Sequence, residues 1–191
     1  MVFDYKGQRV PQVTFWMFAE GGWYKLSTAD LFDHKTVVAF AVPGAFTYPY
    51  SSIQLLGYNE YAKVFRANGV AEIFCISVND PFSLATWAEK EGANQVSFIP
   101  DVNGDFTREM GMMVNLSSKG MGYRSLRYSM LVRDGVIEKM FVERDAVEII
   151  PVISNAETML NHINPEAEKP EQTIVLMQMW QTMLSDSTIG E

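Results

Sequence analysis

Cysteine and histidine are scarce in this chain of 191 residues, which holds one cysteine, Cys75, and two histidines, His34 and His162. One cysteine cannot close a disulfide within the chain, and it cannot support a redox cycle that needs two thiols in one polypeptide. The two histidines lie far apart in sequence and lack neighbouring residues of ligand type. We therefore expect no metal and no cofactor.

The chain also lacks a long apolar run and an excess of positive charge. Residues 1–6 contain no apolar leader, and no run reaches membrane-spanning length, so we expect a cytoplasmic protein. The net charge of −8 argues against binding to nucleic acid or to an anionic membrane. With 48% hydrophobic residues, the chain is long enough for one domain with a sizeable core.

The hydrophobic pattern predicts strands and helices in alternation. Apolar runs at residues 36–42 and 71–78 are typical of strands covered on both faces, and helical periodicity follows each run, at 51–67 and 81–90. Asp134-Gly135 lies between two further apolar runs and predicts a β-hairpin. This order matches an α/β protein with a thioredoxin-like fold, in which helices flank a mixed central sheet.

The C-terminal part is expected to hold two more helices. Residues 154–163 form the first, with Ser154 as N-cap and Glu157 completing a capping box. We assign residues 1–164 to one domain and 165–191 to a linker and an extra amphipathic helix. An apolar stripe in this last segment suits packing on its own domain, on a second copy or on a protein partner; its members are Leu176, Met179, Trp180, Met183 and Leu184.

The loop after the first buried strand carries the most informative motif. Residues 43–52 read PGAFTYPYSS, which resembles the active-site loop of the peroxiredoxins in their type-5-like, glutaredoxin-linked branch, where the loop reads PGAFTPxCS. Further segments that resemble this family, in the same order, are SVNDPF at 77–82, IPDVNGDFT at 99–107 and RSLRYSM at 124–130. The resemblance covers roughly residues 10–164.

The resemblance implies a peroxide-reducing thiolate, and this chain lacks it. Aligned without a gap, the attacking cysteine falls on Tyr50, whereas the supporting positions Pro43, Thr47 and Arg127 are retained. A phenol ionises far less readily than a thiol and forms no stable counterpart of a sulfenic acid. Proline has moved from the position of Tyr48 to Pro49, so we expect a different loop backbone. No catalytic residue is expected.

Three functions stay open at this point. The first is a catalytically silent peroxiredoxin-like scaffold or binding module. The second is an enzyme of other chemistry, in which Thr47, Tyr50 and Arg127 converge on a small anion. The third is a thiol peroxidase that uses Cys75, although the apolar strand around this residue predicts an inert, buried thiol.

The roles of the supporting residues are open as well. Arg127 is either an anion-binding group or a structural partner of a carboxylate, and the Thr47 hydroxyl either orients a ligand or satisfies backbone amides. Aromatic side chains that we expect to fill the core or an interface are Phe15, Trp16, Trp23 and Trp87. The resemblance also implies a homodimer, formed through an edge near the active-site loop.

Overall fold

A five-stranded mixed sheet forms the centre of the protein in the computed structural model, which describes residues 5–47, 49–143 and 151–171. The strands are β1 (Thr14–Ala19), β2 (Gly22–Ser27), β3 (Thr36–Ala41), β4 (Glu72–Ser77), β5 (Ser97–Pro100), β6 (Met113–Asn115), β7 (Tyr123–Ser125), β8 (Tyr128–Arg133) and β9 (Val136–Val142). In the central sheet the order is β5-β4-β3-β8-β9. Strands β3, β4 and β5 are parallel, while β8 and β9 run antiparallel to their neighbours.

Helices cover both faces of this sheet. They are α1 (Thr28–Phe32), α2 (Tyr50–Ala67), α3 (Pro81–Glu91), α4 (Asp105–Glu109) and α5 (Ala156–Ile163). Side chains alternate across each strand, so Phe40 and Cys75 contribute to the core under α2, α3 and α5, whereas Ala39 and Ile76 contribute to the core under α1 and α4. Because both faces are buried, β3 and β4 are continuous apolar runs. The predicted thioredoxin-like α/β fold is confirmed.

The prediction for the start of the helix near residue 154 was wrong. Helix α5 begins at Ala156, and its N-cap is Asn155, whose side-chain oxygen accepts a hydrogen bond from the Thr158 amide at 2.8 Å. Ser154 is instead fully buried and bonded to other parts of the fold. The sequence analysis also missed the short β6–β7 pair.

A tight turn sets the register of the β1–β2 hairpin. Glu20 and Gly21 both have positive φ, at 52° and 78°, as a two-residue hairpin turn of the primed type requires. In the resulting register Trp16 pairs with Lys25 and Phe18 pairs with Trp23. Since side chains alternate along a strand, these four side chains share one face of the hairpin.

Some predictions lie outside the described residues. The extra helix predicted in the segment 165–191 falls largely on residues 172–191, and Tyr48 of the loop is also outside them. The boundary between a domain at 1–164 and a C-terminal segment stays a prediction. In the described part of the chain, no helix is long and apolar enough to cross a membrane.

Helix α3 offers a test of capping. Asp80 is its N-cap, and the Asp80 carboxylate accepts hydrogen bonds from the amides of Phe82 and Ser83 at 3.0 and 2.9 Å. We expect Asp80→Ala to lower the free energy of unfolding by about 1 kcal/mol, because the first-turn amides lose their acceptor. Asp80→Asn keeps the acceptor oxygen and should be close to wild type. Urea unfolding measures both variants, and an equal loss in both would contradict this role.

Candidate functional site

An amide side chain outside the loop between β3 and α2 helps to hold this loop in place. Asn79 Oδ1 accepts from the Ala45 amide at 2.9 Å and from the Ser77 hydroxyl at 2.8 Å. The next residue, Phe46, adopts a φ of 59°, which is unfavourable for a bulky side chain, and it remains exposed. Pro43 is buried at the start of this loop. The loop is thus fixed before it turns into the first residues of α2.

Three polar side chains meet where the loop enters α2. The Thr47 hydroxyl donates to the Gly44 carbonyl at 2.7 Å, and its oxygen lies 2.5 Å from Ser51 Oγ. Because a hydroxyl has one proton, Ser51 is the donor to Thr47. Ser51 Oγ in turn accepts from Arg127 Nη2 at 3.5 Å. Of the two roles left open for the Thr47 hydroxyl, this contact matches the local one, since the hydroxyl bonds to a backbone peptide group of its own loop through the Gly44 carbonyl.

Arg127 lies fully buried beneath the first turn of α2. Its Nη1 donates to Gln54 Oε1 at 2.8 Å and to the main-chain carbonyl of Tyr50 at 3.4 Å. Burial lowers the pKa of the Arg127 guanidinium to about 10, against the opposing effect of the Glu143 carboxylate. Arg127 therefore stays charged at neutral pH. Its Nε has no hydrogen-bond partner in the described part of the protein.

A second set of buried hydrogen bonds connects Gln54, which bonds to Arg127, with Ser154 and Glu143. Gln54 Nε2 donates to the carbonyl and the hydroxyl oxygen of Ser154 at 3.2 and 3.3 Å. Glu143 Oε1 accepts from the amide and the hydroxyl of Ser154 at 2.8 and 2.9 Å and from the Ile153 amide at 2.8 Å. These bonds occupy Ser154 and explain why it does not cap α5. They also place a carboxylate near Arg127 without a direct ion pair.

The structure brings Thr47 and Arg127 together, but through Ser51 and not through the Tyr50 side chain. Tyr50 is the first residue of α2 and is half-buried, and it accepts a hydrogen bond from Arg127 through its main-chain carbonyl. Ser51 and Gln54 are therefore site residues that the sequence analysis missed. Their signal was present: polar residues at positions 51 and 54 share a helix face with buried Leu55 and Tyr58.

Cys75 lies in the centre of β4 and has no exposed surface. Burial raises the pKa of its thiol, and this effect outweighs the lowering by the Arg127 charge. The sequence analysis predicted a buried thiol at Cys75, and the structure shows that the thiol is buried. Among residues 5–47, 49–143 and 151–171, no three His, Cys, Asp or Glu side chains are grouped so that they could hold a metal ion.

Comparison of the sequence and the structure with known proteins identifies the family. The redoxin family model matches residues 5–160. The chain belongs to the redoxin family. A redoxin relative from Haemophilus influenzae, the hybrid peroxiredoxin hyPrx5, is 47% identical over 166 residues, which cover 87% of this chain and 69% of that protein. The Synechocystis peroxiredoxin sll1621 is 46% identical over 152 residues, which cover 78% and 80% of the two chains.

A solved redoxin structure shows the same architecture. Reduced Prx3 from Vibrio vulnificus, in complex with hydrogen peroxide, superposes with a TM-score of 0.77 at 35% identity, covering 86% of this chain and all of that one. The resemblance to the type-5-like peroxiredoxin branch is thereby confirmed. Relative to the loop motif that the sequence resembles, this redoxin carries Tyr50 where the motif has cysteine and keeps the serine at position 51.

The position of Cys75 generates a prediction on reactivity. Because burial raises its thiol pKa and removes access, the folded protein should not react with a chromogenic disulfide reagent at mildly alkaline pH. Unfolding in guanidinium chloride should release one reactive thiol per chain. Absorbance measures both states. Rapid stoichiometric labelling of the folded protein would contradict the buried assignment.

Proposed function

We propose that this redoxin is a peroxiredoxin-like protein without thiol peroxidase activity, acting as a scaffold or binding module. The observation that carries the proposal is that the only thiol of the chain does not lie in the loop beside Arg127. The loop has Tyr50 where the family resemblance places a cysteine, and the one thiol of the chain is buried in β4. We propose the cytoplasm as its compartment.

The remaining groups at the site do not supply another nucleophile. Ser51 has a hydroxyl within reach of Thr47 and Arg127, but neither of these residues is a base that could remove its proton. Arg127 is bonded to Gln54, Tyr50 and Ser51, so much of its donor capacity is used within the protein. This favours a structural role over an enzyme built from Thr47, Tyr50 and Arg127.

The names of the relatives favour a second candidate, peroxide reduction through Cys75. Hybrid peroxiredoxin hyPrx5 and peroxiredoxin sll1621 are both named for that activity. In this chain the reaction requires Cys75 to reach solvent, since a thiol reacts with peroxide as an accessible thiolate. Peroxide consumption by the wild-type protein separates the two candidates.

A series of single-cysteine variants tests the proposal at three adjacent positions. In a Cys75→Ala background, cysteine is placed at 50, 51 or 52 by Tyr50→Cys, Ser51→Cys or Ser52→Cys. We expect the Ser51→Cys thiol to have the lowest pKa, below the ordinary value of about 8.5, because it faces Thr47 and Arg127. The pH dependence of alkylation measures each pKa, and hydrogen peroxide consumption with dithiothreitol measures activity.

The matched control is Ser52→Cys, because Ser52 Oγ lies 2.8 Å from the Glu91 carboxylate, which disfavours a thiolate. The wild type should not consume hydrogen peroxide with dithiothreitol or with glutathione plus glutaredoxin as the reductant. Turnover by the wild type that is lost in Cys75→Ala would establish the peroxidase candidate and refute the silent site. A lower thiol pKa at position 50 than at 51 would contradict the contacts described for Ser51.

We also propose that the protein forms a homodimer through the face that carries the active-site loop. Three segments adjoin at this face: the loop after β3, the residues that follow β4, and β7. Asn79 after β4 bonds to Ala45 of the loop, and Arg124 Nη1 of β7 donates to the Val78 carbonyl. Exposed aromatic side chains project from this face at Phe46 and Tyr123. Large aromatic side chains of this kind are enriched at the centres of interfaces. A protein partner for the stripe at residues 176–184 stays a prediction.

The dimer proposal is tested with Tyr123→Glu. A carboxylate buried without a partner at the interface should raise the dimer dissociation constant by at least roughly tenfold, measured by sedimentation velocity. Tyr24→Glu is the matched control, since Tyr24 is also an exposed strand tyrosine but lies on the hairpin. A wild type that stays monomeric throughout the micromolar range, or equal weakening by both variants, would refute this interface.

A further inference from the structure

A groove separate from the Arg127 site runs between the β1–β2 hairpin and the start of α3. Its volume is about 480 Å³, within the range of small-ligand sites. The residues that line it are Trp16, Trp23, Asp80, Pro81, Val102 and Asn103. Both tryptophans are unusually exposed, with 46% of Trp16 and 55% of Trp23 accessible to solvent. Of the four aromatic side chains expected to fill the core or an interface, Phe15 and Trp87 are buried in the core, whereas Trp16 and Trp23 are not.

Neighbouring rings hold the Trp23 indole in place. Its ring centroid lies 5.2 Å from that of Phe18 and 5.7 Å from that of Phe82, with edge-to-face geometry in both pairs. The ring centroids of Phe18 and Phe82 lie 5.0 Å apart. An exposed indole with a fixed orientation loses little conformational entropy when a ligand docks on it. The hairpin turn at Glu20-Gly21 sets the register that brings Trp16 to the same face.

The chemistry of the lining favours a cation. The indole face is the aromatic surface that attracts cations best, and the Lys25 ammonium already lies 4.7 Å from the Trp16 ring centroid. Lys25 is not among the residues that line the groove. Asp80 adds a carboxylate at the rim, and its hydrogen bonds with Ser83 keep its pKa below the usual value. The groove therefore combines electron-rich rings with a permanent negative charge.

The hydrogen bonds of Asp80 narrow the class of cation. Its Oδ1 accepts from the Phe82 and Ser83 amides, and its Oδ2 accepts from the Ser83 hydroxyl at 2.6 Å. The carboxylate keeps its charge but has few lone pairs left for a new donor. A cation that carries no N–H groups needs no acceptor from Asp80, whereas an ammonium or a guanidinium would find little hydrogen bonding at this carboxylate and would keep its donors on water.

We propose that this groove binds a small quaternary ammonium compound, whose methylated nitrogen lies between the indoles of Trp16 and Trp23 and near the carboxylate of Asp80. This function is independent of the Arg127 site and of the question of peroxidase activity. It gives the scaffold a ligand on a surface formed by the hairpin and the start of α3.

Choline and its neutral isostere, 3,3-dimethylbutan-1-ol, test the proposal, because the two differ in charge and hardly in shape. Titration of the full chain is followed by the indole N–H signals in NMR spectra. We expect saturable shifts of the Trp16 and Trp23 signals with choline, an unchanged signal of buried Trp87, and binding of the neutral alcohol at least roughly tenfold weaker.

Variants with matched controls identify the contacts. Trp23→Ala should weaken choline binding by about tenfold, whereas Tyr24→Ala removes an exposed ring from the opposite face of the same hairpin and should not change it. Asp80→Asn keeps the helix cap and removes the charge, so it should weaken choline binding severalfold without affecting the neutral alcohol.

Equal binding of choline and the alcohol would overturn the proposal, because the groove would then be merely apolar. So would an absence of saturable binding, or unchanged binding in Trp23→Ala. Sedimentation velocity at the NMR concentrations measures whether the protein is then a dimer. A dimer in which the second copy covers Trp16 and Trp23, so that choline does not shift their signals, would also overturn the proposal.

Discussion

The complete burial of the Arg127 guanidinium is the constraint on which the site depends. A buried charge is costly unless most of its donors are paired and its field is balanced. Here neutral oxygens from Gln54, Ser51 and the Tyr50 main chain accept hydrogen bonds from Nη1 and Nη2, and Glu143 contributes opposite charge from a distance. Only Nε of the guanidinium has no partner in the described part of the protein. In the peroxiredoxin loop that this segment resembles, a thiolate would supply the negative partner. This chain keeps the cation but has no cysteine at position 50, and the hydrogen bonds of Arg127 go to neutral oxygens of the protein.

The hydrogen bonds around Arg127 couple the loop to distant parts of the fold. Gln54 joins Arg127 to Ser154, and Glu143 joins Ser154 to the end of β9, so the first turn of α2 and the approach to α5 share one buried network. Networks of this kind help to specify one packing as far as their members are satisfied, and here Arg127 Nε is the group that has no partner among the described residues. The same contacts leave Arg127 less free to bind a ligand, which is why a scaffold role suits the site better than new anion chemistry.

Local patterns predicted most of the fold, and contacts distant in sequence explain the failures. Apolar runs and turn residues were enough for β3, β4 and the hairpin at Asp134-Gly135, because these signals are local. Ser154 looked like an N-cap, yet Glu143 and Gln54 recruit it, the latter from 100 positions away. Alignment pointed to Tyr50, whereas the structure places Ser51 against Thr47 and Arg127. The helical spacing of Ser51 and Gln54 signals that they share a face, but it does not tell which distant residues that face meets.

The most direct measurement is a single-turnover experiment without any reductant. The wild-type protein is mixed with one molar equivalent of hydrogen peroxide, and the remaining peroxide is followed by rapid quenching, with Cys75→Ala measured in parallel. A site in which Arg127 faces only neutral oxygens, with the thiol buried in β4, predicts that both proteins leave the peroxide unconsumed over seconds. Stoichiometric loss of peroxide with the wild type alone would contradict the account, because it would show that Cys75 reacts as an accessible thiolate.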